Sequence, residues 1–177
     1  GYEQLENFLS TTVAQKLQNT PEEEIVSPAP HVAGPALEAL RFAGHDETLK
    51  DLYANLLASS MDAATAQATH PSFVEILKQL SPDEARLLAI FRKPIAFAMV
   101  HVRRENRDNT GGTDALVNFS LLGEDAGCQI PRQTPLYLSN LARLGIIEIP
   151  EMFEYTDKDV YKRLEEHPDI ISLKDRK

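Results

Sequence analysis

The side chains able to do chemistry are scattered along this sequence rather than gathered. Its five histidines, His31, His45, His70, His101 and His167, are spaced so that no two fall within four residues of each other. No helix can therefore present the imidazole pair, one turn apart, with which zinc enzymes commonly hold their metal. His70, directly before Pro71, reads as a helix-start residue. Cys128 is the single cysteine, and the acidic Glu124 and Asp125 near it oppose the thiolate that a nucleophile requires. It reads as a small buried hydrophobe. Gly111-Gly112 lacks the Lys and Ser or Thr that complete a phosphate loop, so turn chemistry accounts for it. There is no Gly-x-Ser-x-Gly elbow. These observations point to no catalytic residue, no metal ligand, no cofactor and no small-molecule substrate.

One local departure stands out from an acidic chain of formal charge −9. Between residues 86 and 107, Arg86, Arg92, Lys93, Arg103, Arg104 and Arg107 face only Glu105, a segment charge of +5. Arg132 and Arg143 flank or lie on a later helical segment. Such residues suit phosphate backbones, or else acidic protein surfaces. A base-reading helix usually presents several Arg, Lys, Asn or Gln side chains, and 134–144 offers little beyond Arg143. Residues 1–80 hold 4 basic and 11 acidic side chains, so pairing of these arginines with that half competes with phosphate binding.

The elements that would position these residues are legible from period and punctuation. Leu5, Phe8, Leu9, Val13 and Leu17 have helical spacing, and the Pro- and Glu-rich stretch from Pro21 to Pro30 reads as a solvated link. Pro35 and Gly44 sit at the expected start and end of a second helix. Asp46 is a suitable N-cap for a third, whose Leu49, Leu52, Tyr53, Leu56, Leu57 and Met61 form one apolar stripe. Asn55 lies off that stripe and is expected to bond a loop backbone. Pro71 opens a helix with Phe73, Ile76, Leu77 and Leu80 on one face. Ser81-Pro82-Asp83-Glu84 is a capping box, and the helix it starts stops before Pro94. Two strands, 95–102 and 116–122, then flank a turn at 109–112. A helix over 134–144 ends at Gly145 as its C′ residue, a short strand follows at 146–149, and 156–159 caps a last helix.

The 177 residues, 42% of them hydrophobic, are enough for a real core. No apolar run approaches the roughly 18 residues of a membrane span, so no membrane contact is expected from this segment. A lone cysteine suits a reducing compartment, and the cytoplasm is the expected location. Gly1 stands where an initiator Met would, and the sequence is read as a fragment of a longer protein.

Four blocks carry a resemblance: His-Val-Ala-Gly-Pro-Ala-Leu-Glu-Ala-Leu at 31–40, Leu-Tyr-Ala-Asn-Leu-Leu-Ala-Ser-Ser-Met at 52–61, the run from His70 to Ala85, and Leu-Ser-Asn-Leu-Ala-Arg-Leu-Gly-Ile-Ile at 138–147. Over about residues 25–150 the chain resembles the Abi-alpha family, bacterial domains grouped with abortive-infection proteins. The resemblance implies a role in phage defence and supplies no catalytic residues. The expected architecture is mainly α, an N-terminal helical bundle over 1–80 packed on a winged-helix-like α+β lobe over 81–177, with one continuous domain as the alternative. The expected function is a non-enzymatic module that binds a protein partner or itself. The rival is nucleic-acid binding through 86–107 and the helix 134–144, with Arg92, Lys93, Arg103, Arg104, Arg107, Arg132 and Arg143 as contacts.

Overall fold

Phe8, Val13 and Leu17 are buried, and their spacing of five and then four residues shapes the first helical stretch. It runs as α1 (Tyr2–Phe8), a π segment (Leu9–Val13) and α2 (Ala14–Lys16). The wider π turn keeps Phe8 and Val13 on one face, where an unbroken α-helix would swing them apart. In the computed structural model, which describes residues 2–43, 45–92, 97–106, 108, 110–150 and 154–174, the chain divides into two compact units, Gly1–Ala85 and Arg86–Lys177. The fold class is mainly α with a small α+β part, as the periodicity indicates.

In the first unit, α3 (Pro30–Ala43) and α4 (Glu47–Met61) bury facing stripes. The helix expected to start at Pro35 instead starts at Pro30, with Pro35 inside it. Gly34 helps explain this: without a Cβ it escapes the clash with the proline ring that drives a preceding residue out of helical geometry. The expected end at Gly44 lies outside the described residues. Asp46 caps α4, its carboxylate accepting the N–H groups of Thr48 and Leu49 at 3.0 Å. The buried face of α4 is wider than its leucine stripe, because Ala54, Ala58 and Ser60 are also buried. Small side chains there let neighbouring helices approach closely. Asn55 bonds the carboxylate of Asp51 at 3.1 Å rather than a loop backbone, and Asp51 also receives Lys16 at 2.5 Å. The amide thus braces the ion pair between α2 and α4. The Pro- and Glu-rich link is pinned at one point, Val26 N–H donating to Met61 O at 2.8 Å and Ala63 N–H to Glu24 O at 2.9 Å. Along α5 (Ser72–Lys78) the buried residue is Val74, while Phe73 is exposed, so the helix is rotated from the expected apolar face. His70 starts it as anticipated, its Nδ1 accepting Ser72 N–H at 3.1 Å.

α6 (Pro82–Ile90) opens on the expected capping box, with Ser81 N–H donating to Glu84 Oε2 at 2.6 Å and Glu84 N–H to Ser81 Oγ at 3.3 Å. In the second unit β1 (Val100–Glu105) pairs antiparallel with β2 (Gly112–Phe119). The strands lie nearer the turn than the apolar runs suggest. A ladder is held by backbone hydrogen bonds and can continue through polar Arg103–Glu105 once the hairpin closes. Two register shifts place extra residues on β2, one beside Asn118, whose φ of +54° is a left-handed conformation that Asn tolerates. α7 (Leu122–Asp125) follows, then α8 (Thr134–Arg143), which buries Tyr137, Leu138 and Leu141. Gly145 closes α8 with φ +71°, its N–H on Ala142 O and that of Ile146 on Leu141 O at 3.0 Å. This is the expected C′ glycine in a Schellman turn.

The strand expected at 146–149 does not form: residues 147–150 carry no regular structure. Gly145 has turned the chain, Ile146 has spent its N–H on the helix end, and no described strand edge pairs with the segment. The hairpin precedes α8, so the winged-helix expectation has no strand after that helix among the described residues. The last helix is broken in two, α9 (Lys162–Glu165) and α10 (Pro168–Lys174), because Pro168 cannot continue the hydrogen-bond ladder. His167 caps the second piece, its Nδ1 accepting Asp169 N–H at 3.2 Å.

Candidate functional site

The basic residues singled out by sequence do not converge. Arg103 and Arg104 are consecutive on a strand, where neighbouring side chains point to opposite faces. Arg103 turns to its own hairpin, its guanidinium 3.8 Å from Asp114 and donating to Gly112 O at 3.3 Å. Arg104 is exposed opposite Thr113. Arg132 meets Asp169 at 3.2 Å, and Arg143 is folded along α8 onto Asn140 Oδ1 at 2.7 and 3.0 Å. Arg92 is exposed; Lys93 and Arg107 lie outside the described residues. The carboxylates that Arg103 and Arg132 meet belong to the second unit, not to the acidic N-terminal half.

Strand pairing also changes the charge arithmetic. Over 100–119, Arg103, Arg104 and Arg107 are matched in number by Glu105, Asp108 and Asp114. The hairpin as a whole is neutral, and extending the segment to residue 119 lowers its +5 to +3, the charge of Arg86, Arg92 and Lys93. On α8, Leu136 is 64% exposed where a base-reading helix would carry polar groups.

A different feature emerges in the first unit. α3, α4 and the end of α5 border an open groove of about 380 Å³. Ala39, Phe42 and Ala43 of α3, Leu49 and Tyr53 of α4, and Leu77 and Leu80 line it. Two exposed charges of opposite sign, Glu38 and Lys78, complete the lining. Lys78 is also 2.9 Å from Glu75 one turn earlier. Among the described residues Phe42 is the most exposed of the large apolar side chains, at 80%, and it lines the groove without being covered by it.

Tyr53 is the unusual member. It is 1% exposed, yet its hydroxyl has no hydrogen-bond partner among the described residues. No fully enclosed side-chain oxygen or nitrogen there lacks a partner, so the hydroxyl keeps some access to solvent, and Tyr53 is among the residues that line the groove. Burial pushes the phenol above its ordinary value, and the negative charge of Glu75 adds to the shift. It remains a neutral donor at physiological pH, with no hydrogen bond made to it among the described residues. A buried donor without a partner is costly, and this one is satisfied only by water or by whatever enters. Sequence periodicity placed Tyr53 in the core stripe and gave no sign of its second role. The signal was the hydroxyl itself, on a stripe otherwise made of Leu and Met.

Among the described residues no three His, Cys, Asp or Glu side chains converge as metal ligands, and no helix is long and apolar enough to cross a membrane. No curated protein and no solved structure matches the chain. One protein family does, over residues 1–177. With the four sequence blocks folded into α3 to α6 and α8, the chain belongs to that family, abortive infection alpha, and is an abortive-infection-related domain.

Proposed function

We propose that this domain is a non-enzymatic protein-interaction module of a bacterial phage-defence system, acting in the cytoplasm through the groove of its first unit. The observation that carries this reading is Tyr53, whose hydroxyl makes no hydrogen bond among the described residues, in the lining of a largely apolar groove beside an uncovered phenylalanine. Apolar walls with a small number of placed polar groups are what binding sites present. A large exposed aromatic at such an edge is the type of side chain that dominates interface energetics. Family membership supports the defence setting.

The rival reading, nucleic-acid binding by the arginines, draws little support from an electrically neutral hairpin that turns Arg103 and Arg104 to opposite faces. Phage plaque counts on bacteria carrying the full-length protein separate the two. Phe42→Asp should lose protection with an unchanged melting temperature, and Arg103→Glu/Arg104→Glu should keep it. The opposite pattern would transfer the function to nucleic acid and overturn the module.

A further inference from the structure

We infer that His167 is a proton-operated joint in the second unit, fastening α10 to α7 when neutral and releasing α10 when charged. Three contacts meet at its ring, and its side chain is 18% exposed, within reach of solvent protons. Nδ1 accepts the N–H of Asp169 at 3.2 Å, Nε2 lies 3.1 Å from Glu124 Oε1 on α7, and the ring tilts over Phe119 with centroids 5.1 Å apart. A backbone N–H can only donate, so Nδ1 is bare and the one proton of the neutral ring sits on Nε2, where it is donated to Glu124. A single tautomer serves both neighbours.

A second proton can go only to Nδ1, and there it opposes the Asp169 N–H, donor against donor. The position matters because of how α10 begins. Pro168 brings no N–H, and those of Ile170 and Ile171 both go to His167 O at 3.0 Å. Of the donors in this first turn, the Asp169 N–H is thus the one that depends on the ring. A cation beside a helix N-terminus is also unfavourable. Toward α7 the effect is opposite, because the bond to Glu124 gains a charged donor and strengthens. Protonation therefore undoes the cap of α10 while the ring stays on α7. The other charged groups around the joint are Asp125 of α7, Arg163 of α9 paired with it, Asp169 paired with Arg132, and the adjacent, exposed Glu166. Carboxylates and guanidinium groups ordinarily keep their charge between about pH 5 and 8, the range in which histidine changes its own. The joint has one moving charge.

NMR on the intact chain from about pH 8 to 5 tests this by following two signals, the His167 ring and the hydrogen-exchange protection of the Asp169 amide. Protection at Asp169 should fall about 5-fold in step with ring protonation, the scale of a lost helix cap, while the amides of α7 hold. His167→Asn supplies an acceptor that caps helices and does not titrate, so its Asp169 amide should stay protected at the acid end. Glu124→Gln keeps an acceptor for Nε2 but removes the charge that holds the protonated ring. Its α10 should loosen at acid pH as before, and the ring should now also leave Phe119, read as a lost ring-current shift. A ring that protonates with no loss at Asp169, a ring that keeps one charge state across the range, or a His167→Asn chain with the same acid loss as the unsubstituted one overturns the joint.

Discussion

The two units solve stability differently. In the first, Phe8, Val32, Ala36, Tyr53, Leu57 and Val74 belong to one continuous apolar cluster contributed by four helical stretches. Its charges sit mainly at helix ends or on exposed faces, with the Lys16–Asp51 pair joining α2 to α4. In the second, the elements are short, and the hairpin end at 103–105 and 113–115 is exposed on both faces. Ion pairs tie segments distant in sequence, Arg163 to Asp125 and Arg132 to Asp169, and a hydrogen bond joins His167 to Glu124. Buried area is non-directional and tolerates an open groove at its edge, whereas exposed ion pairs contribute little each and demand geometry. A surface kept open for a partner is therefore easier to maintain on the first unit, where the core beneath it is not needed to satisfy charge.

The largest effect expected from this contrast is in the first unit. Leu57 is 2% exposed inside the cluster, and Leu57→Ala should cost about 2–5 kcal/mol in denaturant melts. A loss below about 1 kcal/mol would mean that the stripe is not the centre of the core. Next comes a packing constraint in the second unit. A Cβ on Gly123 would stand 2.0 Å from Thr134 Oγ1 and 3.1 Å from Pro131 O. Thr134 is itself 1% exposed and bonded to Pro131 O at 2.6 Å, so it has little room to move. Gly123→Ala should cost about 1–3 kcal/mol, the scale of overpacking, measured by the same melts. An unchanged midpoint would show that α7 and the turn before α8 are loosely joined.

Helix punctuation was the most legible part of the sequence. Asp46, the Ser81–Glu84 box and Gly145 act as their types and positions predict, because a cap is a local event decided within one turn. Facing was less legible. Phe73 and Val74 are adjacent, both apolar, and only the packing of α5 decides which is buried. Chain breaks were ambiguous for a similar reason: Pro35 reads as a start until Pro30 and Gly34 are considered together. The strand at 146–149 was misread because β-branched residues favour a strand but do not provide an edge to pair with. The groove was not legible at all. Phe42 and Tyr53 lie on separate helices, and nothing in linear order says that one is left uncovered beside the other. The basic segment misleads in the opposite direction, since part of its charge is met across the turn, Arg103 by Asp114.

The smallest expected effect probes the second half of the comparison. Arg163 grips Asp125 with two hydrogen bonds, 2.8 and 3.1 Å, the bidentate geometry that gives an exposed pair its best chance of contributing. The hydrogen bond to Asp125, and then its charge, raise the guanidinium above an already high pKa, with Glu124 adding slightly. A raised pKa on a base means stability present below its unfolded value and lost only as pH climbs through the folded one, so Arg163 stays charged at any pH where the protein functions. Both partners are substantially exposed, at 65% and 40% of their side-chain surface, and water and salt screen them. Arg163→Met, which keeps much of the aliphatic stem, should therefore cost less than about 1 kcal/mol at low ionic strength. The loss should fade near 1 M salt, where the screening length falls to about 3 Å. Leu57→Ala should keep its cost under the same salt, because burial does not depend on counterions. If Arg163→Met instead costs as much as Leu57→Ala and salt does not reduce it, the ion pairs of the second unit act as a core, and the contrast between the two units fails.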